Sequence, residues 1–292
     1  MNQIIFNATC LGNNPDGIGV YCREIIDKTI SEGKIGRCLI FITSAGLRSL
    51  SHISYNSHIA VKLVPRYFSA EYGFIGHLSR LLLSQYLALR YPRTIIFNPS
   101  QLEVCFNHKY QAVMVHDLIP MIFNNDPLMN YQKKFFFYRY ILGAALRNAG
   151  AIITPSKHTL GLIKKEFHPD SKKLFVIPNG IKFAHSKFTE TRKEFILFLG
   201  SLRVIKNVHG LISAYRKIAD QVPHKLVIAG GGNIDWLEKG DPGGPGIVEY
   251  VGYLSDEGVD GLLSTAALFV FPSFYEGFGF PPLLSLPHRG NQ

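Results

Sequence analysis

The sequence predicts an α/β protein made of two Rossmann-like halves, each a mostly parallel sheet covered by helices. Three observations carry that prediction. Short apolar, β-branched runs alternate with helix-length segments along most of the chain, a pattern that builds parallel sheets covered on both faces. Several of these runs end in glycine, histidine or asparagine, as strands do where ligands collect at the edge of an open sheet. Midway, Pro178-Asn179-Gly180 and the polar residues 182–193 interrupt the alternation, which then restarts. Proline followed by a residue that tolerates positive φ makes a turn or hinge there.

In the first half the expected strands are residues 3–8, 39–43, 60–63, 94–97, 111–116 and 151–154, with a further one at 174–177. Helices are expected over 20–31, 76–91, 127–148 and 156–166. Pro127 suits a first helical turn, and Ser156 after Pro155 is a candidate N-cap. The domain boundary is placed near residue 190, giving units 1–190 and 191–292. The second unit is expected to hold strands at 195–199, 225–229, 247–251 and 266–271, helices at 208–219 and 256–264, and a glycine-rich loop at 240–246. Four strands are one fewer than the smaller doubly wound sheets carry. Residues 285–292 are short and polar, with Pro287 and Gly290, so the second domain is expected to be incomplete.

Composition narrows the classes of function. Hydrophobic residues make up 47% of the 292 and charged ones 18%, which suits a globular chain and not a disordered one. Cys10, Cys22, Cys38 and Cys105 form no CxxC pair and read as buried thiols of a reducing compartment. The chain starts on a strand-like run with no basic-then-apolar leader, and no apolar stretch reaches the roughly 20 residues of a membrane span. A cytoplasmic location is expected. Residues 1–190 carry 22 Lys and Arg against 11 Asp and Glu, a formal +11, whereas residues 191–292 carry 9 against 10. An anionic partner for the first half follows, such as a membrane surface or a phosphate-bearing acceptor. Nucleic acid is disfavoured, because no recognition motif accompanies the charge.

The candidate chemistry lies at strand ends. Gly17 and Gly19 follow the first strand and open the first helix, where unpaired N–H groups suit phosphate; the three-glycine dinucleotide fingerprint is missing, which argues against NAD. His116-Asp117 closes an apolar run; the imidazole suits a sugar hydroxyl or proton exchange, and Asp117 either holds its tautomer or caps the next turn. In the second half Arg203 and Lys206 follow a strand and a glycine, the right place for cations facing a diphosphate. Gly230-Gly231-Gly232 allows close backbone approach to a ligand. Glu276 enters a turn with Gly277, Phe278 and Gly279, where a carboxylate can accept sugar hydroxyls while the N–H groups of Phe278 and Gly279 face phosphate. Clustered metal ligands, a P-loop and G-x-S-x-G are all absent from the sequence.

These motifs, in this order, resemble the retaining GT-B glycosyltransferases of family 4. The resemblance runs through Gly17-Ile18-Gly19-Val20-Tyr21, Val115-His116-Asp117, Thr154-Pro155-Ser156, Val176-Ile177-Pro178-Asn179-Gly180, Lys206-Asn207, Leu226 to Gly230 and Phe271 to Pro282. It implies transfer of a hexose, mannose or glucose type, from a nucleotide sugar (GDP-mannose or UDP-sugar) to a glycan or lipid-linked acceptor, in polysaccharide or lipopolysaccharide assembly. It also implies retention of configuration and no bound metal or cofactor. Lys206 would meet the diphosphate, with Arg203 beside it. His116 would lie near the transferred sugar and Glu276 would hold its hydroxyls. Ile205 stands where the family often has arginine, and Leu284 where it has a ribose-binding glutamate. Further strands and a helix that the family carries after this point are not matched by residues 285–292. The competing expectation is a non-catalytic module, derived from such an enzyme, that binds membrane or glycan.

Overall fold

The computed structural model describes residues 3–13, 15–51, 58–127, 132–180, 193–232 and 244–285. The chain divides into two compact units, Met1–Asn179 and Gly180–Gln292. The expected boundary near residue 190 falls outside the described residues.

In the first unit the elements run β1 (Gln3–Asn7), α1 (Gly17–Ser31), β2 (Arg37–Thr43), α2 (Ser44–Arg48), β3 (Ile59–Val64), α3 (Gly73–Arg90), β4 (Ile95–Asn98), β5 (Gln111–Met114), α4 (Ile119–Ile122), α5 (Gln132–Asn148), β6 (Ala151–Thr154), α6 (Lys157–Phe167) and β7 (Leu174–Val176). The strands form one parallel sheet in the order β3-β2-β1-β4-β5-β6-β7. Side chains alternate across it, as the strand repeat of two requires. Phe6, Ile40 and Ile42 face a core with Cys22 and Ile26 of α1. Ile5, Leu39 and Phe41 face the opposite one, with Leu83 and Leu87 of α3.

The second unit repeats the scheme with β8 (Lys193–Leu199), α7 (Val208–Ile218), β9 (Lys225–Ala229), β10 (Val248–Gly252), α8 (Asp256–Thr265), β11 (Ala266–Phe269) and α9 (Phe280–Ser285). Its described strands form a four-stranded parallel sheet, β10-β9-β8-β11. Ile196 and Phe198 pack under Leu211, Ile212 and Tyr215 of α7; Phe195 and Leu197 pack on the other face against Leu263 of α8.

Most expected elements are present, with ends shifted by a few residues. Strand 111–116 stops at Met114 and strand 266–271 at Phe269, since both continue into the loops that carry His116 and Phe271. Ser156 caps α6, its hydroxyl accepting from Thr159 N at 3.2 Å. Pro127 lies in a turn; residues 128–131, where the expected helix start falls, lie outside the described residues, and α5 is described from Gln132. Of the loop at 240–246, residues 240–243 lie outside the described part. Among the described residues no helix is long and apolar enough to cross a membrane.

Candidate functional site

In an open parallel sheet, loops diverge where strand order reverses and leave a crevice at the carboxyl ends of the strands. In the second unit that reversal lies between β8 and β11. The two loops leaving those strands carry Lys206 and Glu276.

The loop after β8 is fixed by main chain. Gly200 N donates to Ala229 O at 2.9 Å and Leu202 N to Gly231 O at 3.0 Å. Gly230 has φ +138°, and a Cβ there would sit 1.9 Å from the Gly200 carbonyl oxygen. A Cβ on Gly232 would come within 2.8 Å of the Leu202 Cβ. The missing side chains of Gly230 and Gly232 thus admit the neighbouring loop.

Arg203 follows as an exposed residue at the start of a 3-10 turn, Val204–Lys206. Ile205 is buried, and its carbonyl accepts from Phe274 N at 2.9 Å. Asn207 takes the left-handed conformation, φ +55°, and its Nδ2 donates to Pro272 O at 3.3 Å. These two bonds join the β8 loop to the β11 loop. They bring together groups 70 residues apart: Lys206 Nζ lies 2.5 Å from Glu276 Oε1. The pair is partly shielded, with side chains 14% and 26% exposed. The ammonium also lies 5.3 Å from the Phe271 ring centroid, close enough for a cation–π attraction. Phe271 is itself stacked on Phe198 and Phe269.

Gly279, at φ +86°, turns the chain into α9, and Phe278 meets Phe280 edge to face. Leu284 on α9 packs against the cluster of Phe195, Leu197 and Leu263. Its apolar side chain is accounted for by that contact. Sequence reasoning gave no role to Asn207, which ties the loops, nor to Ser273, whose hydroxyl is buried without a partner among the described residues. The Asn207 tie has a sequence signal, since asparagine tolerates positive φ at the residue that starts a helix; Ser273 has none.

In the first unit the strand order reverses between β1 and β4. His116 lies one strand further on, after β5. It is buried, and its Nε2 is 2.7 Å from the Pro99 carbonyl. A carbonyl only accepts, so Nε2 carries the proton and Nδ1 is left as an acceptor. Burial holds the imidazole pKa below its ordinary value, which keeps the ring neutral near pH 7. Tyr21 approaches the ring edge-on at 5.0 Å. Asp117 does not set the tautomer: its carboxylate accepts from Ile119 N at 3.0 Å and caps the following turn. Gln101 fixes the segment instead, accepting from His116 N and donating to Asp117 O, each at 3.2 Å.

The glycine loop departs from expectation. The Asp16 carboxylate accepts from Ile18 N and Gly19 N, both at 3.1 Å, so of the glycines foreseen for phosphate Gly19 already has its N–H engaged. A Cβ on Gly19 would lie 2.7 Å from Pro15 Cβ, which explains that glycine by packing. Cys22, Cys38 and Cys105 are buried and Cys10 partly so. Burial pushes the Cys38 and Cys105 thiols up to about 12. The neighbouring Cys22 thiol, together with burial, raises the Cys10 pKa. Among the described residues no group of three or more His, Cys, Asp or Glu could hold a metal ion.

Comparison with known proteins places this site in context. Residues 181–283, which include Arg203, Lys206 and Glu276, match the family model "Glycosyl transferases group 1". The O-antigen chain mannosyltransferase RfbU of Salmonella typhimurium is 28% identical over 216 residues, which are 68% of this chain and 57% of that protein. The O-antigen chain mannosyltransferase B of Escherichia coli is 34% identical over 97 residues, 30% of this chain and 25% of that protein. The chain thus spans between a quarter and somewhat over half of these relatives' lengths. Among solved structures, sucrose-phosphate synthase from Thermosynechococcus elongatus superposes with a TM-score of 0.69 at 16% identity, covering 98% of this chain and 79% of that one. Anabaena Alr3699/HepE, solved with UDP and glucose, gives 0.61 at 14% identity, covering 95% and 75%. The fold class is that of the GT-B glycosyltransferases, α/β with parallel sheets.

Proposed function

We propose that this chain is a retaining glycosyltransferase that moves a hexose, mannose in the first instance, from a nucleotide sugar to a glycan or lipid-linked acceptor. The observation that carries the reading is the Lys206–Glu276 pair at the strand-order reversal of the unit matched by the family model. An ammonium has three donors, and Glu276 engages one. The others suit a donor diphosphate, whose negative charge grows as it leaves. The Glu276 carboxylate suits sugar hydroxyls, and Gly277, Phe278 and Gly279 give the backbone close access to sugar and phosphate. Arg203 is an exposed second cation for the nucleotide. His116, neutral with Nδ1 as acceptor, suits a sugar hydroxyl in the first unit. No metal or further cofactor is invoked. Retention would follow from same-face attack through an oxocarbenium-like state, with a donor phosphate oxygen taking the acceptor proton. The mannose choice and the setting in O-antigen-type polysaccharide synthesis are supported by the names of the relatives.

The test is calorimetric titration with GDP-mannose, UDP-glucose and the free nucleoside diphosphates, followed by transfer assays on lipid-linked oligosaccharide acceptors. Binding of one nucleotide sugar, weakened at least tenfold by Lys206→Met, is expected. Failure to bind any nucleotide sugar would refute the proposal.

A further inference from the structure

Past the end of β5 the main chain leaves the sheet. Val115 N still donates to Ile153 O of β6 at 2.8 Å, but the next two residues turn to a side chain. Buried main-chain groups that leave a ladder need other partners, and Gln101 supplies two. Its amide, on a residue only 5% exposed, accepts from His116 N and donates to Asp117 O, both at 3.2 Å. An N–H only donates and a carbonyl only accepts, so this pairing fixes which end of the amide is oxygen. Glutamine thus stands in for a neighbouring strand along the His116-Asp117 segment. The Tyr138 hydroxyl, 3.4 Å from the same Asp117 carbonyl, is a longer second donor.

The turn that carries Gln101 is itself held. Ser100 Oγ accepts from Leu102 N at 3.0 Å. Glu103, fully buried, pairs with Arg80 of α3 at 2.5 Å, and Arg80 Nε donates to Gly76 O at 3.2 Å. The same turn presents the Pro99 carbonyl to His116 Nε2, with proline restricting the backbone there. One anchored turn therefore grips both the ring and the main chain of His116. Burial disfavours the protonated ring, against the Pro99 hydrogen bond and the charges of Asp117, Asp16 and Glu103. A ring that shifts away from the Pro99 carbonyl loses the bond that sets its tautomer. We propose that Gln101 is the positioning residue for His116: by bridging His116 N and Asp117 O it holds the imidazole where the Pro99 carbonyl keeps the proton on Nε2 and leaves Nδ1 as an acceptor. The consequence for rate rests on the glycosyl-transfer reading, whereas the tautomer of His116 is a property of the protein alone.

The experiment is NMR of the imidazole nitrogens in the full chain, with His116 assigned by the loss of its signals in His116→Gln. The wild type should show a single Nε2–H tautomer. Gln101→Met keeps the length of the side chain and loses both hydrogen bonds, so the two nitrogen signals should move toward a tautomer average. Gln101→Glu, when ionised, keeps only the bond from His116 N. As the pH falls and its carboxyl takes a proton, both bonds return, and its spectrum should converge on that of the wild type at the same pH. Gln101→Met cannot recover in this way, and Gln101→Glu remains informative if the methionine variant folds poorly. Affinity for free GDP or UDP should change less than about twofold in either variant, whereas kcat for sugar transfer should fall about tenfold or more in Gln101→Met with donor KM little changed. A wild-type tautomer signature in both variants at every pH would overturn the proposal. So would a fall in kcat with that signature intact, since the effect would then bypass His116. If none of the proteins transfers sugar, the glycosyl-transfer reading fails, and the imidazole signals still decide the role of Gln101.

Discussion

Removing either half of the Lys206–Glu276 pair should loosen the joint between the two loops of the second unit. At 2.5 Å and an effective dielectric of about 20, the gross attraction is roughly 6–7 kcal/mol. Desolvation and solvent screening offset most of it. Fully exposed pairs net about 0.2–1 kcal/mol, whereas breaking a buried one costs about 3–5 kcal/mol. With 14% and 26% exposure the pair sits between these limits, and a coupling energy of about 1–2 kcal/mol is expected. The assay is a double-mutant cycle by urea unfolding of the wild type, Lys206→Met, Glu276→Gln and the double variant. Methionine keeps the apolar stem against Phe271, and glutamine keeps the shape of the acid, so the cycle isolates the charge interaction. Coupling below about 0.3 kcal/mol, within the range of independent sites, would refute the claim that the pair ties the loops. The same proteins separate roles: Lys206→Met should weaken free GDP or UDP binding, while Glu276→Gln should spare it and impair the sugar-dependent part.

Three further outcomes are expected. Gly230→Ala places a methyl group 1.9 Å from a carbonyl oxygen at positive φ, so it should destabilise the protein by about 3 kcal/mol or more, read as a lower urea midpoint; a loss under 1 kcal/mol would show that the loops can part freely. Arg80→Met strands Glu103, which is fully buried, and should cost about 3–5 kcal/mol; Arg80→Met/Glu103→Gln should recover part of the loss in thermal melts. His116 is held neutral by burial, so below its unfolded pKa of about 6.5 the unfolded chain binds more protons and stability falls as pH falls. His116→Gln should flatten that slope between pH 5 and 6.5, and equal slopes in both proteins would count against a buried neutral ring.

Alternation of strand and helix segments was legible because residues facing the two cores alternate along β1, β2 and β8, and the same register covers both sheet faces. The positions of His116, Lys206 and Glu276 at strand ends followed from it. Pairing between Lys206 and Glu276 was not legible: asparagine at 207 signals a positive φ, but that it reaches Pro272, 65 residues on, depends on strand order, which has no local signal. The glycines have a structural reason that the sequence did not show. At Gly230 and Gly19 the missing Cβ makes room for Gly200 and Pro15, and one sequence gives no means of telling a neighbouring loop from a ligand. The Asp16 carboxylate at the start of α1 is an ordinary N-cap, a role as open to aspartate as any ligand contact. Helix α3 shows the remaining limit: Leu81, Leu83 and Leu87 are buried while Leu78, Leu82 and Leu89 are exposed, and only the fold decides that Arg80 points in and Leu82 out.

The main-chain contact between Gly200 and Gly230 also bears on how far the side chains of this loop can vary. Because the loop is registered by backbone atoms, Ser201, Arg203 and Val204 do not hold Lys206 in place. Arg203 and Val204 are exposed. A combinatorial library at those three positions, with the glycines left untouched, should retain folded protein in most members. The fixed glycines make the loop a scaffold, and its outward side chains become the variable surface.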